Sequence, residues 1–439
     1  MARSRNLVQT ASDAESYFSS VSVCPFPGAA TGTGGRIRDT HSAGRGSHVI
    51  AAISAYCVGY TLPWERNSWK YPSSLSTPLN VLLSASDGAS DYGNKFGEPV
   101  IVGFARSFGL EIPGLIEDTP DSNNSTHVYR SKSRVEWVKP IMFSGGVGTI
   151  DGSNVTKRQP VKGNLVVKVG GPVYRIGMGG GSASSTFTRE ENGCRDFCAV
   201  QRGDAQMGQK LNRAIRASTE LNGINPIFSI HDQGAGGNGN VLKELVEGAG
   251  GRFRCDDFVL GDISCGPLEI WVAEYQESDA ILSDDAGRSL LGRICDREKC
   301  PIQTVGTVTG DNRVVLENFQ HSANARADSD GAVKRSHPVD MDLKMALGSR
   351  PPKKFYLKRF HRRLHPLVLP CDSTFEHALY NVLRLPSVAS KRFLTNKVDR
   401  SVTALIAQQQ CVGPLHTPLA DVGVTAMSYF ETVSVILAN

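Results

Sequence analysis

Glycine constrains the fold of this chain more than any other residue, because it gathers at the ends of short apolar runs. The 45 glycines include tight groups at 28–35, 170–171, 179–181 and 234–237, where the backbone can turn sharply or approach another group closely. The apolar runs are strand-sized: Asn164 to Val169, Val173 to Met178, and Ile227 to Ile230. Helical spacing follows. Met207, Leu211, Ala214 and Ile215 sit behind Asp204 as N-cap, with Gly223 as the stop, and Val241, Leu242 and Leu245 form the face of a helix after Gly237. Leu268, Ile270 and Val272 alternate as a half-buried strand entering Glu274. Ile302–Thr309 and Arg313–Phe319 flank Gly310-Asp311-Asn312 as a hairpin. The pattern is α/β, in α+β layers.

At 439 residues the chain has room for about two or three domains. Residues 1–22 carry no period and read as a divergent N-terminal segment. Residues 23–160 and 161–319 are two α/β units, and a polar insertion at 118–133 is a surface loop. From Gln320 the composition turns polar, so 320–370 is read as a linker. Residues 371–439 open a further unit, where Ser373 to Glu376 matches a capping box before Phe375, Ala378, Leu379, Val382 and Leu383.

The net charge of +5, from 48 basic and 43 acidic residues, lacks the dense basic stripe of a nucleic-acid binder. The densest run, Lys353, Lys354, Lys358, Arg359, Arg362 and Arg363, reads as a solvated connector. No membrane helix or signal peptide is present, so a cytosolic protein without membrane contact is expected, and the sequons at Asn123, Asn124 and Asn154 are chance matches. Ten cysteines are scattered. Cys194 and Cys198 lack a second pair to close a zinc site, so the thiols read as reduced and structural.

Two glycine clusters could carry chemistry. Gly28, Ala29, Ala30, Thr31, Gly32, Thr33, Gly34, Gly35, Arg36, Ile37, Arg38 and Asp39 read either as a phosphate loop with two arginines and a metal-binding carboxylate, or as a glycine-rich turn with a surface ion pair. It is not a Walker A sequence, and Gly177 to Ser182 is not a dinucleotide fingerprint. In the second cluster, Asp232 ends a strand before Gly234 to Gly237 and a helix start. That is an anion-receiving arrangement with an oxygen ligand beside it; the alternative is an Asp capping the loop. Gln201, Glu274 and Gln276 stand at element ends, where each taken alone is more often a satisfied polar group. His231 reads as packed or capping.

Taken in order, GAATGTGGRIRD (28–39), VGGPVYRIGMGGGSASS (169–185), AVQRGD (199–204), HDQGAGGNGNVLKEL (231–245), AEYQE (273–277), KRFLTNKVDRSV (391–402) and QQQCVGPLHTPLADVGV (408–424) resemble the synthetase part of the large, eukaryotic-type phosphoribosylformylglycinamidine synthases. The resemblance runs from about Val23 to Met427. It implies an aminoimidazole ribonucleotide synthetase-like lobe with the opening of a second, pseudo-symmetric one. It also implies ATP- and Mg2+-dependent conversion of formylglycinamide ribonucleotide to the amidine, with ammonia drawn from glutamine. By motif, residues 28–39, Val102, Gly103, Phe104 and Ala420 would contact ATP. Arg38, Gln201, Glu274, Tyr275 and Gln276 would touch substrate, and Asp39, Asp232 and Asp421 would hold metal, all in one shared cleft. Two departures stand out. The family's candidate catalytic His aligns with Tyr17, and a phenol titrates too high to replace an imidazole. Neither the glutaminase nor the second lobe's later metal ligands fall within the chain. An incomplete synthetase unable to turn over alone is expected; a non-catalytic nucleotide-binding protein is the alternative.

Overall fold

The computed structural model describes residues 5–11, 18–62, 69–73, 75–112, 116–117, 128–129, 133–180, 199–221, 223–319, 326–327, 333–334, 337–348, 352–357, 368–416, 419–429 and 434–438. The first sheet is built from β1 (Arg5–Ala11), β2 (His48–Val58), β3 (Val100–Val102), β4 (Ala105–Ser107) and β5 (Ile141–Asp151). Its order is β1-β5-β2-β3, with β4 also pairing β2. β1 lies within the segment read as divergent and without period, and runs antiparallel to β5.

Helices α1 (Phe18–Val23), α2 (Pro25–His41) and α3 (Pro78–Phe96) accompany this sheet. The first glycine cluster is therefore not an open loop. It forms the body of α2, started by a proline in the first turn, and every residue from Gly28 to Arg38 is buried. A helix-interior glycine costs about 1 kcal/mol relative to alanine, so the cluster needs a packing reason. A Cβ on Gly34 would come 2.8 Å from the ring of Tyr92 in α3, and one on Gly88 of α3 would overlap the carbonyl of Phe26. The glycines let two helix backbones approach closely. α3 has conventional ends: Thr77 caps its start and Gly97, at φ 92°, its end.

The second sheet comprises β6 (Leu165–Gly170), β7 (Ser229–Asp232), β8 (Gly251–Arg254), β9 (Ser278–Ser283), β10 (Ile302–Val308), β11 (Arg313–Glu317) and β12 (Val339–Asp342). Its order is β7-β9-β6-β10-β8-β11-β12. β10 and β11 form as expected but not as a hairpin, because β8 lies between them, antiparallel to β10 and parallel to β11. β12 carries this sheet past residue 319, where a linker was expected. Helices α4 (Ala205–Thr219), α5 (Gly237–Leu245), α6 (Pro267–Val272) and α7 (Asp285–Glu298) cover its faces. Asp204 caps α4, accepting from Met207 N at 3.0 Å. α6 replaces the strand read from Leu268, Ile270 and Val272; Pro267 starts it, and Ile270 and Trp271 are buried. Val173–Met178 is no strand either, keeping only a bridge from Val173 to Leu260. One core layer holds Val166, Leu242, Phe253 and Leu282. The other holds Val167, Leu211, Ile230 and Ile281.

The last region has α8 (Phe375–Leu383), α9 (Arg392–Thr395) and a sheet of β13 (Ile406–Gln408), β14 (Val422–Ala426) and β15 (Ser434–Ala438). Leu405 packs with Ile50 and Val147 of the first sheet. α8 forms where expected and Thr374 caps it, yet its apolar face is exposed, with Phe375 82% and Leu383 54% accessible.

Candidate functional site

The last turn of α2 meets the end of β7, which brings Asp39 beside Asp232. Ser42 Oγ donates to Asp232 Oδ1 at 3.2 Å. Burial pushes the Asp39 carboxyl up to about 8, and the neighbouring Asp232 charge adds to this against the pull of Arg38. Two oxygen donors held this close suit a hard cation. His231 lies with Nδ1 2.9 Å from Asp232 O and Nε2 against Glu244. Burial is the largest single influence and works to lower its pKa, but the bonds to Glu244 and to the Asp232 carbonyl, with the charges of both carboxylates, together raise it.

A polar row at 274–277 faces α2. Arg38 donates through Nη1 to Glu277 Oε1 at 3.2 Å and through Nη2 to Gln276 Oε1. Tyr92 OH also donates to Glu277, at 3.1 Å. Glu274 accepts from Gln201 Nε2 and from Gly236 N at 2.9 Å. The start of α5, expected to receive an anionic ligand, thus already holds a carboxylate of the chain. Arg38 thus pairs with Gln276 and Gln201 with Glu274, while Asp39, under the Arg38 charge, pairs with Asp232. Tyr275 turns its phenol inward, accepting from Asn238 Nδ2 at 2.7 Å. Arg36, expected at a phosphate, is fully buried and spans Glu98 at 2.7 Å and Ser144 Oγ at 2.9 Å.

Sequence reasoning missed the support behind these pairs. His41 Nε2 lies 2.8 Å from Asp279 Oδ2, both without exposed side-chain surface. Lys168 Nζ donates to Gln233 Oε1 at 2.5 Å from the middle of β6. A lone lysine among Val166, Val167 and Val169 was the available signal.

Val102, Gly103, Phe104, Ala420 and Asp421 meet elsewhere, around a 490 Å³ cavity between the first sheet and the last region. Arg106, Lys391 and Arg392, not singled out from sequence, supply its positive charge. No residue of 28–39 lines it. Burial, and then Arg106, lowers the Lys391 pKa. Asp421 thus stands in this cavity and not with Asp39 and Asp232. Among the described residues no group of three His, Cys, Asp or Glu side chains is placed to hold a metal. α2 links the two places. Ala29 packs in one core cluster with Tyr56, which lines the cavity, while Asp39 faces Asp232. The ten-residue separation is about 15 Å of helix.

Tyr17, Gly181, Ser182, Cys194 and Cys198 lie outside the described residues, as do Asn123, Asn124 and residues 358–363. Asn154 is buried and accepts from Asn225 Nδ2 at 3.0 Å. No helix among the described residues is long and apolar enough to cross a membrane.

Residues 161–317 match the C-terminal domain of AIR synthase related proteins, and residues 390–438 match the FGAR-AT PurM_N-like domain. The fold agrees. PurLQS from Thermotoga maritima aligns over 96% of this chain and 54% of its own with a TM-score of 0.59 at 16% identity. T. maritima PurL complexed with FGAR aligns over 96% and 56% with a TM-score of 0.58 at 16% identity. The domain matches and the likeness of fold define the class as AIR synthase-like α/β. Within that class the chain is related along nearly its whole length to phosphoribosylformylglycinamidine synthases. It is 51% identical to that of Homo sapiens over 97% of its length and 50% identical to that of Drosophila melanogaster over 95%. It spans about a third of these relatives, 31% and 30% of their lengths.

Proposed function

We propose that this chain holds the nucleotide and substrate of an ATP-dependent carbon–nitrogen ligase of purine biosynthesis. The reaction would convert formylglycinamide ribonucleotide to the amidine, with ammonia released from glutamine by a glutaminase outside this stretch. The reading rests on one observation: Asp39 and Asp232 stand together beside Arg38, Gln201, Glu274 and Gln276. Residues 23–160 and 161–319 would form the two halves of one lobe, with 371–439 opening the second, in a cytosolic protein.

The donor set fits magnesium, which typically takes one or two carboxylates and completes its shell with water and phosphate oxygens. Asp39 and Asp232 would hold one ion near substrate and Asp421 another in the cavity, where the metal neutralises phosphate charge. In that cavity Arg106, Lys391 and Arg392 would receive the phosphates and Val102–Phe104 would border the nucleotide. Arg38 keeps Gln276 and Glu277 in place, and Gln201 does the same for Glu274, so the polar row meets substrate preorganised.

Equilibrium binding tests this reading. Asp421→Asn should weaken magnesium-dependent ATP binding about tenfold, and Asp232→Asn should weaken magnesium-dependent formylglycinamide ribonucleotide binding by a similar factor, about 1.4 kcal/mol each. Ligand binding indifferent to magnesium and to both substitutions would refute the assignment.

A further inference from the structure

Arg45, just beyond the end of α2, is only 8% exposed. Its Nε donates to Ile227 O at 2.7 Å and its Nη2 to Asn225 O at 3.0 Å. These bonds fix the guanidinium plane and leave Nη1 without a hydrogen-bond partner among the described residues. Arg158 is anchored to the same segment. Its backbone N donates to Phe228 O at 2.8 Å, and its guanidinium lies over the Phe228 ring at 4.5 Å.

Both arginines line a 290 Å³ cavity with Asp151, Ser153 and Thr219. Neither makes an ion pair with a carboxylate among the described residues. The cavity's one acid, Asp151, accepts through Oδ1 from Ser153 N at 3.0 Å and Ser153 Oγ at 2.7 Å. Burial lowers the Arg45 pKa and the Arg158 charge lowers it further, so the two cations are near enough to repel. Fixed like charges around a polar hollow raise its affinity for an anion. Guanidinium edges match the spacing of phosphate oxygens. The volume stands at the lower edge of the roughly 300–1,000 Å³ typical of small-molecule sites.

We propose that Arg45 and Arg158 form an oxyanion site that takes a phosphate group, either the free ion or the phosphoryl end of a small sugar phosphate. The anion would sit between Nη1 of Arg45 and the guanidinium of Arg158. The segment that carries both anchors runs directly into β7 and Asp232, so occupancy braces the strand bearing a candidate cation ligand.

Titration calorimetry of the full chain with inorganic phosphate, at constant ionic strength and without magnesium or nucleotide, tests this. Saturable one-site binding is expected. Arg158→Gln, at an exposed position, should weaken it at least tenfold with an unchanged urea midpoint. Lys95→Gln, on the exposed face of α3 where it pairs with Asp91, should leave it unaltered. A parallel titration with ribose 5-phosphate separates the two ligand sources: tighter binding than phosphate identifies the sugar phosphate, weaker binding the free ion. Absence of saturable phosphate binding, equal binding by Arg158→Gln, or an equal loss in Lys95→Gln would overturn the site.

Discussion

Lys168 has no exposed surface, and burial pulls its pKa from 10.5 down to about 7 against the opposing effect of Asp279 and Asp232. Between those values the folded chain binds fewer protons than the unfolded one, so stability rises with pH from about 7 toward 10.5. Below 7 the whole penalty is present. Lys168→Met should therefore raise the urea midpoint more at pH 6 than at pH 10; an equal shift at both would show that its charge is not the cost. Glu98 is the counterpart. Glu98→Gln leaves Arg36 buried beside a neutral amide, and about 3–5 kcal/mol of stability should be lost in urea unfolding. The sequence exposed Asp39 and Asp232 because a carboxylate beside a glycine cluster is conspicuous. It misled on Arg36, since a buried arginine and a ligand-facing one look alike until Glu98, sixty-two positions away, is known to meet it.

At the scale of elements, α2 and α3 show why the glycines were hard to read. A run such as GAATGTGG has no apolar period, and its glycines and threonines outweigh two alanines in helix preference, so only the partner helix explains it. The prediction here compares two glycines in α3. Gly88→Ala should destabilise by about 1–3 kcal/mol, because the added methyl meets the Phe26 backbone, which cannot swing aside. Gly93→Ala, whose nearest atom is Thr33 Cγ2 at 3.9 Å, should instead gain up to about 1 kcal/mol of helix propensity. Urea midpoints of both variants check the contrast, and destabilisation by both would contradict it. α4 was legible because Asp204 and four spaced apolar residues are local signals. The false hairpin was illegible for the opposite reason: the strand that separates β10 from β11 lies some fifty residues upstream of β10, at Gly251–Arg254.

For the whole molecule, the division into layered sheets followed from the alternation of short strands with helices. The relation between the two candidate sites did not, because no local pattern records which ends of a helix face which cavity. The exposed apolar face of α8, with Leu379 45% and Val382 49% accessible, makes self-association the expected solution behaviour. Phe375→Lys with Leu383→Lys should lower light-scattering mass while the urea midpoint stays fixed; persistent association would move the sticky surface elsewhere.

The strand order of the second sheet also bears on how the molecule is made. Only β11 and β12 are neighbours both in that sheet and among its strands along the chain, so almost every pairing must close a long loop before any contact rewards it. During synthesis β6 waits with open edges until residues 278–308 have emerged. A chaperone that shields extended strands would have its longest task there.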